Sequence, residues 1–83
     1  MSYKFEDLIN KSENTFDDIS SESYRTYEFE SGRCITILNP IALNVSKSGG
    51  HRIWDACGIS HYIPSAWIHL YWEVKNGEPN FVK

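Results

Sequence analysis

The stretch that decides the fold is residues 46–72, whose sequence is SKSGGHRIWDACGISHYIPSAWIHLYW. It contains all three histidines and all three tryptophans of the 83-residue chain. Short runs of β-branched and aromatic residues, which favour strands, alternate in it with glycine and proline, which favour turns. The stretch therefore predicts three short strands, at residues 51–54, 59–63 and 67–74.

The same period of two continues upstream of this stretch. Tyr27 and Phe29 alternate with Thr26, Glu28 and Glu30, which is typical of a strand buried on one face. Further apolar runs follow, separated by the turn residues Ser31-Gly32 and Asn39-Pro40. Three more strands are therefore predicted, at residues 24–30, 34–38 and 41–46.

The N-terminal residues show a different pattern. Phe5, Leu8 and Ile9 have the i, i+3, i+4 spacing of one helical face, which predicts a short amphipathic helix over residues 3–11. Residues 12–23 are rich in serine and acidic side chains, and this composition indicates a connection or a weak second helical turn.

Together these elements predict an α+β fold that is mainly β. A short N-terminal helix is followed by an antiparallel meander of about six short strands, which forms a small barrel or sandwich. A chain of 83 residues is one domain, with the helix and acidic connection in residues 1–23 and the β-rich part in residues 24–83. An edge strand left over from such a sheet makes a homo-oligomer a further expectation.

Composition and charge narrow the functional classes. Two cysteines without ligand spacing indicate a reducing compartment, and we expect a cytoplasmic protein. No apolar run approaches the roughly 18 residues of a membrane span, and the N-terminus lacks the apolar core of a signal peptide. Residues 1–30 carry a net charge of −5 and residues 31–83 a net charge of +2, so general nucleic-acid binding is not expected.

No motif in the sequence indicates catalysis. Ser60 and His61 are adjacent on a predicted strand and point to opposite faces, so they cannot form a dyad within that strand. The three histidines, with Asp55 or Cys57, offer zinc ligand types but no recognised ligand spacing. We therefore predict no enzyme activity, no metal site and no cofactor.

Two segments are predicted to bind a ligand or a partner. The loop of residues 46–52, which we call the Gly-Gly loop, combines backbone N–H groups with positive charge and hydroxyls, as anion sites do. The last strand carries a row of aromatic side chains on one face, as binding hot spots and base-stacking surfaces do. The alternatives are a hairpin turn whose glycines serve geometry alone, and a strand buried on both faces. The predicted binding residues are Lys47, Ser48, Gly49, Gly50, His51, Arg52, Trp67, His69 and Tyr71.

Residues 39–52 (NPIALNVSKSGGHR), residues 60–64 (SHYIP) and residues 67–70 (WIHL) resemble small accessory proteins encoded by tailed bacteriophages. The resemblance covers residues 27–74 and implies a bacterial cytosol as the setting. It suggests a phage-encoded inhibitor of a host factor or defence system, acting by protein–protein contact. Two alternatives stay open: a sponge for a phosphate-bearing, nucleotide-like ligand, and a minor structural protein of the virion.

Overall fold

The computed structural model describes residues 3–7 and 15–77. In these residues the chain forms one 3₁₀ turn, Phe5–Asp7, and seven strands. The strands are β1 (Asp17–Asp18), β2 (Glu22–Phe29), β3 (Cys34–Leu38), β4 (Pro40–Val45), β5 (His51–Asp55), β6 (Ser60–Ile63) and β7 (Trp67–Val74). Each of the six predicted strands is present, with ends that differ by at most two residues.

The strands form two antiparallel sheets. One has four strands in the order β1-β4-β5-β6, and the other has three strands in the order β3-β2-β7. The predicted meander holds within β4–β6, but β7 returns to pair with β2 instead of extending the series. The described strands form no closed barrel, so of the two predicted arrangements the barrel is wrong.

The chain passes from one sheet to the other at Asn39. This residue has a φ of 50°, and its carbonyl accepts a hydrogen bond of 2.9 Å from the N–H of Ala56. Asparagine is among the residues that tolerate this left-handed conformation. Pro40 follows as the first residue of β4, a position where a missing N–H donor is tolerated.

The predicted N-terminal helix is not supported. In residues 3–7, the part of this segment that the structure describes, Phe5–Asp7 forms a 3₁₀ turn closed by a 3.0 Å bond from the Asp7 N–H to the Lys4 carbonyl. The segment is held instead by tertiary contacts, because the Tyr3 N–H donates to Ala56 and its ring packs 5.2 Å from that of Trp54. Residues 8–11 of the predicted helix lie outside the described residues.

One hydrophobic core is shared by both sheets. Its buried members are Ile19, Tyr27, Ile37, Leu43, Ile53 and Ile63. Burying an aliphatic side chain of this size contributes about 1.5–3 kcal/mol. Because side chains alternate along a strand, the neighbours of each inward residue point to the outer face of the sheet. Binding residues can lie on these outer faces.

None of the described residues belongs to a helix with the length and apolar composition needed to cross a membrane.

Candidate functional site

The loop between β4 and β5 is a tight hairpin, as its glycines predict. Ser46 donates its N–H to the Gly50 carbonyl at 2.8 Å, and Gly49 donates its N–H to the Ser46 carbonyl at 2.9 Å. Gly49 has a φ of 90°, which other residues rarely adopt. The Gly49 N–H is thus used within the turn.

Gly50 is required for a different reason. A Cβ atom at this position would collide with the hydroxyl and ring of Tyr62 and would lie 3.0 Å from the Ile63 carbonyl oxygen. The absence of a side chain therefore allows the Tyr62 ring to lie directly against the hairpin.

Three hydroxyl groups meet above this hairpin. The Ser46 and Ser48 oxygens are 3.0 Å apart, and they lie 3.4 Å and 3.2 Å from the Tyr62 hydroxyl. Hydrogen bonds from Ser46 and Ser48, together with the positive charge of Arg52, lower the pKa of Tyr62.

Arg52 is held beside this cluster by the strands on either side of it. It stands opposite Asn44 on β4 and opposite Tyr62 on β6. Its Nη1 donates to Asn44 Oδ1 at 2.7 Å, and its guanidinium lies 5.8 Å from the Tyr62 ring centre, within cation–π range. Asn44 is itself fixed, because its Nδ2 donates to the Thr15 carbonyl at 2.7 Å. The guanidinium is therefore positioned before any ligand arrives.

These side chains surround an open pocket of about 450 Å³ on the outer face of the four-stranded sheet. We call it the hairpin pocket. Its lining residues are Asn44, Val45, Ser46, Lys47, Ser48, Arg52 and Tyr62. The lining contains two cationic side chains and no carboxylate. Of the predicted binding residues, Lys47, Ser48 and Arg52 line this pocket.

His51, also a predicted binding residue, lies on the opposite side of β5 from Arg52. It is 1% exposed, and its Nδ1 is 2.6 Å from the Tyr27 hydroxyl. The Tyr27 hydroxyl also interacts with the Arg25 guanidinium, which can only donate to it. His51 is therefore part of the core and does not line the hairpin pocket.

Tyr27 also contacts a buried ion pair, formed by Glu22 and Arg25, that was not predicted from the sequence. Arg25 donates to both carboxylate oxygens of Glu22, at 2.9 Å and 2.6 Å, and both side chains are 0% exposed. Trp72 covers the guanidinium at 4.6 Å. Burial raises the pKa of Tyr27 to about 12, against the effect of Arg25. The sequence did contain one indication that Arg25 is buried: it lies two residues from Tyr27 on the same strand and therefore on the same face.

The aromatic row predicted on β7 is divided by an irregularity in the strand. Glu28 pairs with His69 but Phe29 pairs with Trp67, so Ile68 is an extra residue on β7. Ile68 points outward and is 66% exposed, whereas Trp67 packs on the core with its ring 5.1 Å from that of Tyr27. The prediction that Trp67 belongs to an aromatic row on the outer face is therefore wrong.

His69 and Tyr71 remain on the outer face of the three-stranded sheet. His69 Nδ1 is 2.9 Å from Glu28 Oε1, and its ring lies 5.0 Å from that of Tyr71. Tyr71 meets Tyr24 edge to face at 6.5 Å. We call these four side chains the His69 surface. It belongs to a different sheet from the hairpin pocket, and the core lies between the two.

The third histidine forms a separate pair at the edge of the four-stranded sheet. His61 Nε2 lies 2.8 Å from Asp55 Oδ2, while Asp55 Oδ1 accepts the N–H groups of Cys57 and Ile59. Burial alone would raise the pKa of Asp55, but the hydrogen bonds from His61, Ile59 and Cys57 outweigh it and lower that pKa.

The structure thus places the three histidines in three different environments. In residues 3–7 and 15–77, no group of three or more histidine, cysteine, aspartate or glutamate side chains is placed to hold a metal ion. Cys34 and Cys57 are both free and exposed.

Comparison of the chain with known protein families, with curated proteins and with solved structures found no match. The hairpin pocket and the His69 surface are therefore the basis for assigning a function.

Proposed function

We propose that this chain is a non-enzymatic binding protein that engages an anionic group of a partner protein in the hairpin pocket. The resemblance to bacteriophage accessory proteins supports a host factor or a component of a defence system as the partner. Binding would inhibit that partner by covering its surface.

The observation that carries the proposal is the fixed position of Arg52. Its guanidinium is held by Asn44 on one side and faces the Tyr62 ring on the other. A side chain that is already ordered loses little conformational entropy on binding, and arginine and tyrosine are enriched among residues that dominate binding energy. Lys47 adds a second, exposed positive charge beside it.

The hairpin pocket supports this proposal better than the His69 surface does. The His69 side chain is already paired with Glu28, so an acid is part of that surface. The hairpin pocket has only positive charges among its lining residues, and an incoming anion meets no carboxylate there. A partner bound at the hairpin pocket is therefore expected to leave His69 and Tyr71 uncovered.

The test uses the full chain with an affinity tag, together with the variants Arg52→Gln and Arg33→Gln. Arg33 is the matched control, because it is an exposed arginine in the β2–β3 turn of the other sheet. Each protein is used to capture partners from bacterial lysate, and the captured protein is then purified and titrated by calorimetry. We expect Arg52→Gln to weaken binding about 30-fold, which corresponds to a loss of roughly 2 kcal/mol, and Arg33→Gln to have no effect.

Two results would contradict the proposal. One is that the wild-type chain, shown to be folded by circular dichroism, captures no partner. The other is that Arg52→Gln and Arg33→Gln bind the purified partner equally well, which would place the contact elsewhere on the molecule.

A further inference from the structure

We infer that the anionic group for which the hairpin pocket is built is a phosphate monoester. This inference rests on the site of the proposed function and adds the chemistry of what that site recognises. The phosphate can come from a phosphorylated side chain of a partner protein or from a nucleotide, and both sources present the same group.

The positive charge of the hairpin pocket suits a phosphate monoester. Lys47 and Arg52 give the pocket two positive charges, in a chain whose net charge is −3. A phosphate monoester carries a charge of about −1.5 to −2 near pH 7, whereas a carboxylate carries −1. The charge of the pocket therefore matches a phosphate monoester more closely than a single carboxylate.

A second pocket in the structure has a different charge pattern. It has about 470 Å³ and lies between the N-terminal residues and β4. Its lining mixes Lys4 and Lys75 with Glu6 and Asp18, so its charges compensate one another. The two pockets are similar in size, but the lining of the hairpin pocket, unlike that of the second pocket, contains no carboxylate.

The hairpin pocket also contains several hydrogen-bond donors. A guanidinium has five N–H donors in a planar fork, and the bond to Asn44 uses one of them. The hydroxyls of Ser46, Ser48 and Tyr62 are hydrogen-bonded to one another within 3.4 Å, and each can exchange such a bond for one to a ligand oxygen atom by rotating its proton. Such a set of donors suits a group with several acceptor oxygens, and phosphate has three in a monoester.

The volume of the hairpin pocket leaves room for more than the phosphate group. At about 450 Å³ the pocket lies within the 300–1,000 Å³ typical of small-molecule sites and is larger than a phosphate group alone needs. The Tyr62 ring forms one side of it. The group attached to the phosphate can therefore enter the pocket as well.

The experiment is a calorimetric titration of the full chain with phenyl phosphate and with benzenesulfonate, at pH 7.5 and pH 5.0. The two probes share a ring, but only phenyl phosphate becomes a dianion, with a second pKa near 6. At pH 7.5 we expect phenyl phosphate to bind at least tenfold more tightly than benzenesulfonate. At pH 5.0 its affinity should fall about tenfold, because about a tenth of it remains a dianion.

Variants assign that affinity to the pocket. Arg52→Gln should weaken phenyl phosphate binding at least tenfold and Arg52→Lys by less, since lysine keeps the charge but loses the fork. Arg33→Gln should leave the affinity unchanged, and thermal melts of every variant establish that each is folded. Equal affinity for the two probes, or equal affinity of Arg52→Gln and Arg33→Gln for phenyl phosphate, would overturn the inference.

Two further titrants identify the source of the phosphate. Preference for adenosine monophosphate over a phosphoserine peptide assigns the site to nucleotides, and the reverse assigns it to phosphorylated proteins; either supports the inference. Loss of host-protein capture in Arg52→Gln without any phosphate preference overturns this inference and leaves the proposed function standing. Phosphate binding that depends on Arg52, with no protein captured, supports this inference and overturns the proposed protein partner.

Discussion

Replacing Glu22 by glutamine tests the most buried electrostatic interaction of the fold. Glu22 and Arg25 are both 0% exposed and are joined by two hydrogen bonds of 2.9 Å and 2.6 Å. Removing the charge of one partner leaves the other buried and uncompensated, which costs about 3–5 kcal/mol. A domain of 83 residues has a total free energy of unfolding on the order of 4–12 kcal/mol. Glu22→Gln should therefore remove about a quarter or more of the stability.

The assay is equilibrium unfolding in urea followed by tryptophan fluorescence. Trp72 lies 4.6 Å from the Arg25 guanidinium and reports on this part of the core. Glu30→Gln is the matched control, since Glu30 is exposed at the end of β2 and its substitution should change the stability by less than about 0.5 kcal/mol. The double variant Glu22→Leu with Arg25→Met removes both charges and should recover most of the loss. A loss below about 1 kcal/mol in Glu22→Gln would refute the buried pair.

Three further predictions concern the hairpin and the titrating groups. Gly50→Ala forces a methyl group against Tyr62 and should cost about 1–3 kcal/mol, with a smaller cost in a Tyr62→Ala background; thermal melts of the four proteins measure this. The pKa of Asp55 is lowered in the folded state, so its contribution to stability is present above its unfolded pKa of about 3.9 and is lost as the pH falls through the folded value. Urea midpoints from pH 6 to pH 2 should therefore fall less steeply for Asp55→Asn than for the wild type, and parallel curves would contradict this. The pKa of Tyr27 is raised to about 12, so its contribution is complete below pH 10 and is lost between about pH 10 and pH 12. Tyr27→Phe should show no such alkaline loss, and ultraviolet titration of tyrosinate should show one group fewer near pH 12.

The strands could be predicted because local signals agree with one another. Period-two alternation predicted that Tyr27 of β2 points inward, and the intervening turns carry glycines with positive φ, such as Gly32 at 88° and Gly58 at 86°. These signals depend only on residues close in sequence. They are sufficient for six strands but do not determine which sheet each strand joins.

The N-terminal helix is not supported, and the apolar spacing that predicted it was short and therefore weak evidence. Starting a helix fixes several residues for one hydrogen bond, so short helices need packing or good caps. In this chain the contacts of Tyr3 with Ala56 and Trp54 fix the segment against the four-stranded sheet. Such contacts with distant residues leave no trace in the local pattern. β1 was missed as well, because its two residues, Asp17–Asp18, are too few to show a period.

Two irregularities in the pairing of β2 with β7 explain why the buried ion pair and the inward Trp67 were not predicted. An irregularity between Glu22 and Tyr24 lets Glu22 and Arg25, three residues apart, lie together in the core, although such residues point to opposite faces of a regular strand. The other, at Ile68, turns Trp67 inward and removes it from the predicted aromatic row. Both involve pairing between β2 and β7, which are far apart in sequence. The hairpin with Lys47 and Arg52 was accessible to prediction because it is local, whereas the contribution of Tyr62 required the pairing of β5 with β6.

The measurement that tests the central claim most directly is a titration of the ¹⁵N-labelled chain with phenyl phosphate, followed by two-dimensional NMR at pH 7.5. If the hairpin pocket is the binding site, the amide signals of residues 44–52 and Tyr62 should shift with one common affinity, and those of His69 and Tyr71 should stay unchanged. Shifts confined to His69, Tyr71 and their neighbours, or no shifts at all, would contradict the assignment of the site to the pocket around Arg52.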